Sequence, residues 1–195
     1  MAAKRKKGFS AYILPILFCV LLIVLAILKG RRTEQPVKAV LQAGEPLTLS
    51  EQAVENYLYA AGFTLQGEEV SDENGEKIAD LTMVRDEDGT ISAMTLSFSL
   101  PTYIPTENDE DMASVKEPHD RAAQRGKDMF LALFDAIAAT DKRVAARRDS
   151  AETKLQTAMD TGKAAQQAAN SWRFDFSMER GMFESTVTIL FTLVK

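Results

Sequence analysis

The chain has 195 residues with 28 acidic and 23 basic side chains, one histidine and one cysteine, for a formal net charge of −5. The charges are unevenly placed: no Asp or Glu precedes Glu34, whereas seven basic residues lie at or before Arg32. The remainder therefore sets all 28 carboxylates against 16 cations, a net of −12. Such a surface repels phosphate backbones and anionic membranes, which excludes a nucleic-acid partner. The lone Cys19 excludes a disulfide, a zinc-thiolate site and a cysteine nucleophile from everything downstream.

The first element is "KRKKGFSAYILPILFCVLLIVLAILKGRR". Its twenty residues 9–28 carry no formal charge and as a helix would rise about 30 Å, the thickness of a bilayer core. A cleavable export signal has an apolar region of roughly 7 to 15 residues followed by a small-x-small site. Here the run is longer and ends in Lys29, Gly30, Arg31 and Arg32, which predicts a retained transmembrane helix. Lys4, Arg5, Lys6 and Lys7 favour a cytoplasmic N-terminus, with the rest of the chain outside. Two processing alternatives fit less well. A lipoprotein box ending at Cys19 meets Phe18 where a small residue is needed. "KKGFS" resembles a prepilin leader, but Ile13 stands where a pilin places glutamate.

The expected organisation is a basic tail over 1–8, the membrane helix over 9–28, a linker over 29–47 and an extracytoplasmic domain over 48–195. "TLSEQAVENYLYAAGF" predicts a short helix with a Thr48–Glu51 capping box, a Val54, Leu58 and Ala61 stripe, and Gly62 as its stop. "FTLQ" predicts a brief strand. "KIADLTMVR" and "TISAMTLSFSL", joined by "DEDG", predict a hairpin. In its second strand Met94, Leu96, Phe98 and Leu100 share an apolar face, opposite Thr95, Ser97 and Ser99.

"PTYIPTENDEDMASVKEP" reads as a long acidic connection, with Pro118 in the first turn of a following helix. Residues 118–169 then read as helical almost throughout. Positions 126, 130, 133 and 137, then 144, 148, 151, 155, 158, 162, 165 and 169, keep a spacing of three and four. Start signals at Thr140-Asp141 and Asp149–Glu152 favour a helical hairpin over one rod of about 75 Å. The chain closes with two strands. Trp172, Phe174, Phe176 and Met178 alternate with Arg173, Asp175, Ser177 and Glu179. After Arg180-Gly181, the residues Phe183, Val187, Ile189, Phe191 and Leu193 form the matching apolar face. The whole predicts an α+β domain of two layers, an antiparallel sheet with the helical hairpin on one face.

Catalytic signals are weak. His119 beside Asp120 cannot form a nucleophile–base–orienter chain, because adjacent helical residues do not face one another, and it is expected as an exposed surface histidine. A single histidine excludes multi-histidine metal centres. Glu107–Asp111 and Asp86–Gly89 offer oxygen ligands for calcium, but neither continues into the twelve-residue loop with a terminal glutamate, so both read as solvated loops. There is no GxGxxG, GK[ST] or GxSxG motif. No catalytic residue, cofactor or metal is assigned.

The expected function is a non-catalytic binding or assembly module of the bacterial cell envelope, with the bilayer as partner through residues 9–28 and a protein partner outside. The polar face formed by Thr95, Ser97, Ser99, Arg173, Asp175, Thr186 and Thr188 is the expected contact surface. The alternatives are a membrane-tethered hydrolase using dispersed carboxylates and a pilin-like envelope component.

Overall fold

A computed structural model describes residues 48–102 and 109–194. The predicted membrane helix over 9–28 and residues 107–108 of the calcium candidate at 107–111 lie outside the described residues. Among those described, no helix is long and apolar enough to cross a membrane.

The opening helix is α1, Glu51–Ala60. Its cap is Ser50, whose side chain accepts the Ala53 N–H, rather than Thr48. The cap belongs immediately before the first helical residue, where its oxygen reaches the free amides of the first turn. Val54 and Leu58 are buried, but Ala61 follows the helix end and is exposed. Gly62 does supply the left-handed turn that stops the helix, at φ +89°.

Four strands follow as a meander: β1 Thr64–Gln66, β2 Glu69–Ser71, β3 Lys77–Arg85 and β4 Ile91–Pro101. The β3–β4 hairpin closes as the sequence predicts. Asp86 N–H donates to the Thr90 carbonyl at 2.8 Å, the Asp88 carboxylate accepts the Thr90 N–H at 3.0 Å, and Gly89 takes φ +80°.

Next comes α2, Asp109–Thr140, so Pro118 lies inside the helix and not in its first turn. The stretch read as an acidic connection is helical from Asp109. It contains no glycine and ends in good helix formers, and the missing Pro118 N–H removes one hydrogen bond without ending the helix. The helix breaks at Thr140-Asp141. The short α3, Lys142–Ala145, is capped by Asp141, and α4, Arg148–Thr161, completes the hairpin. Arg148 closes the corner, donating to Asp135 on α2 through Nε and Nη2 at 3.0 and 3.3 Å.

Helix α4 stops at Gly162, which has φ +67° and an amide bonded to the Ala158 carbonyl at 2.8 Å. Residues 165–169, expected on a helical stripe, instead form strand β5, Ala165–Ala169. Once Gly162 ends the helix, the two-residue turn Asn170-Ser171 folds this segment back onto β6, Trp172–Arg180, in the register Ala169↔Trp172. Tertiary pairing overrides the helix propensity of alanine and glutamine here. The last strand is β7, Glu184–Leu193.

All pairings are antiparallel in a seven-stranded sheet of order β1-β2-β3-β4-β7-β6-β5. Two meanders thus meet at the central β4–β7 pair, and the helices cover one face. On that face Phe130 and Phe134 of α2 meet Phe174, Phe176 and Phe191. The Phe130–Phe176 rings are edge-on at 5.5 Å, and the Phe134 and Phe174 centroids are 5.1 Å apart. The close approach of α2 has a local cause. A Cβ on Gly126 would lie 2.2 Å from the Phe98 ring, so only glycine lets the helix settle there. This is an α+β fold of two layers; among the described residues, no helix covers the second sheet face.

Candidate functional site

Period-two alternation places the seven predicted contact residues on that uncovered face. The cross-strand register aligns them in rows. One runs Asp80↔Ser97↔Thr188↔Ser177, and the next runs Thr82↔Thr95↔Leu190↔Asp175↔Gln166. A third row contains Ser99↔Thr186↔Glu179, and Arg173 joins Thr192 and Ala93 at the other end. The structure therefore brings Thr95, Ser97, Ser99, Arg173, Asp175, Thr186 and Thr188 to one surface; Ser99 and Thr186 are its most exposed members.

The face is held by its own hydrogen bonds. Ser97 Oγ and Thr188 Oγ1 are 3.5 Å apart, and Ser177 Oγ–H donates to the Thr188 carbonyl at 3.4 Å. The Asp175 carboxylate accepts Arg173 Nε at 2.8 Å and Gln166 Nε2 at 2.5 Å. Small hydroxyl side chains leave the surface shallow, and a depression of about 370 Å³ is bordered by Ile78, Asp80, Ser97, Ser99 and Thr186. Sequence reasoning missed Leu190, half-buried at the centre of the face, because the consecutive apolar residues Ile189, Leu190 and Phe191 hide the alternation there. Asp80 and Thr82 were legible in the alternation of β3.

A second concavity, about 350 Å³, lies under the N-terminal half of α2 at the end of the sheet where β3 and β7 begin and β4 ends. Phe98, Met129 and Ile78 provide apolar lining. Lys77, Arg121 and Arg125 bring three cations to it, with Glu76 and Glu184 opposing them. These cations are paired: Lys77 with Asp80 and Glu69 at 2.8 and 3.3 Å, Arg121 with Glu117 at 2.6 Å, and Arg125 with Asp72 at 3.0 Å.

Two carboxylates are buried or nearly so, and both are structural. Asp72, 7% exposed, accepts the backbone N–H groups of Asn74 and Glu76 and pairs with Arg125. Burial pushes its carboxyl up, but those amides, the Asn74 side chain and Arg125 outweigh it and hold the group below the usual carboxylate range. Asp141 similarly gathers Arg143 N–H, the Asn170 amide and Ser171 Oγ. There too burial pushes up, and the hydrogen bonds and Arg143 win, lowering the pKa.

His119 is half-buried rather than exposed: its Nδ1 donates to the Pro101 carbonyl at 2.8 Å, tying α2 to the end of β4. Residues 86–89 are occupied by the turn they form. Phe183, expected on the apolar face of β7, lies before that strand in the β6–β7 turn and is exposed. Among the described residues, no group of three His, Cys, Asp or Glu side chains could hold a metal ion.

Fold and surface define an α+β domain with an open antiparallel sheet face. Comparison with protein-family models, with curated proteins and with solved structures gives no match.

Proposed function

We infer that the protein is a membrane-tethered binding or assembly module of a bacterial cell envelope, anchored by residues 9–28 and presenting its domain outside the cell. The observation that carries the binding part is the sheet face opposite the helices: its strands present ordered rows of Thr, Ser and a few charges, and no helix among the described residues lies over them. A broad, shallow, self-bonded polar surface suits a protein partner better than a small substrate, which is usually enclosed in a deeper pocket. The tether rests on the sequence, in the uncharged twenty-residue run and its basic flanks.

The tether is tested by carbonate washing of membranes and by external protease on intact cells. The full-length protein should remain in the washed membranes, and the protease should remove the domain. Release by carbonate would refute the anchor, and protection from protease would refute the orientation.

A further inference from the structure

Of the sheet's two edges among the described residues, β5 is the less guarded. Strand β1, at the other edge, is three residues long and stands beside exposed Glu68 and Glu69. Strand β5, Ala165–Ala169, carries no charge and no proline, and its register with β6 runs without a bulge. Natural edges usually carry one of those devices, because a plain strand offers its outward amides and carbonyls to another strand.

The two-residue turn Asn170-Ser171 fixes which backbone groups face outward. Its flanking pair Ala169↔Trp172 is hydrogen-bonded, and so, two residues on, is Gln167↔Phe174. Gln166 and Ala168 therefore turn their N–H and C=O groups away from the sheet. The Ala168 carbonyl accepts Gln167 Nε2–H at 2.7 Å, so a side chain of the same strand stands where a neighbouring strand's amide fits.

We propose that β5 pairs antiparallel with β5 of a second copy about a two-fold axis at Gln167. Gln166 of each copy then lies opposite Ala168 of the other, and each such pair exchanges two backbone hydrogen bonds. The displaced Gln167 amide meets the second copy's Gln167 across the axis. The flanking charges favour this occupant. Continuing the register sets exposed Lys163, which has no ion pair among the described residues, opposite Ser171, whose hydroxyl donates to the Asp141 carboxylate at 3.2 Å. On the face away from the helices, the row ending Asp175–Gln166 meets the row ending Arg173–Ala168, acid towards base. Helix α4 packs on both β5 and β6, so the two α4 helices lie about 10 Å apart across the axis, an ordinary packing distance. The contact uses the edge of the sheet and not its face, so it stands or falls independently of the partner inferred for that face.

The test uses full-length protein purified in mild detergent, with Cys19→Ser removing the native thiol. A residue that faces itself across the axis comes within disulfide reach, so Gln167→Cys should oxidise to a covalent dimer. Gln166→Cys, offset by two residues from the same position in the other copy, lies beyond the roughly 7 Å limit for bridging. It and Thr64→Cys, exposed on the β1 edge, should oxidise to dimer at least tenfold more slowly. Ala168→Pro removes an outward amide, a change that an edge strand tolerates, and should slow the Gln167→Cys dimer at least tenfold. Lys163→Glu sets like charges together without touching the strand and should slow it at least threefold, which decides the matter if the proline variant melts early. Equal rates at positions 64, 166 and 167, no dimer at position 167, or a dimer there that forms as fast with Lys163→Glu would each overturn the proposal.

Discussion

Arg125 on α2 meets the buried carboxylate of Asp72 at 3.0 Å, joining the long helix to the turn that links β2 and β3. Asp72 also accepts two backbone amides within that turn, so one side chain shapes the loop and fastens it to the helical layer. Because its folded pKa lies below the ordinary value, its contribution to stability is fully present above the unfolded pKa of about 3.9. That contribution fades as pH falls through the folded value. Asp72→Asn should therefore lower the melting temperature at pH 7 and flatten its decline between about pH 5 and 2. Thermal scans across pH on wild type and variant check this; parallel curves would contradict it.

Gly126 provides a prediction opposite to helix propensity. In an exposed helix, Gly→Ala stabilises by roughly 1 kcal/mol. At this position the new Cβ would meet the Phe98 ring at 2.2 Å, so α2 or the ring must shift. Gly126→Ala should destabilise by about 1 to 3 kcal/mol, the range for overpacked cores. Adding Phe98→Leu should recover part of the loss. Urea denaturation of the two single variants and the double variant measures that coupling.

Core and bare face should separate in stability. Phe176 is buried against Phe130, so Phe176→Ala should cost about 3 to 5 kcal/mol. Thr186 and Ser99 are exposed on the other face, where Thr186→Ala and Ser99→Ala should change stability by less than about 0.5 kcal/mol. Equilibrium unfolding distinguishes the two classes.

What the sequence revealed follows the strength of its local signals. Strands β4, β6 and β7 alternate apolar and polar residues over long spans, and "DEDG" marks its turn, so their faces were legible before any coordinates. Strand β5 was not: "AQQAA" has no apolar alternation and favours helix by itself, becoming a strand only because β6 offers a pairing edge. Strand β2 is too short at three residues to show a period. The Asp72–Arg125 and Asp141–Asn170 links join residues 53 and 29 positions apart, beyond any local pattern. The β6–β7 turn was misjudged at Phe183 because that residue keeps the period of Ser185, Val187 and Ile189, and only the start of β7 at Glu184 leaves it in the loop.

The central proposal is that the sheet face opposite the helices binds a protein partner. Its most direct measurement pairs melting temperature with co-purification in mild detergent for full-length wild type and for Ser97→Arg, Thr186→Arg and Thr188→Arg. Arginine adds bulk and charge to a shallow polar surface while leaving the apolar layer untouched. These variants should melt close to wild type and lose a companion protein that the wild type retains, whereas arginine at exposed Thr157 on α4 should lose nothing. Folded sheet-face variants that keep every companion of the wild type would contradict the account.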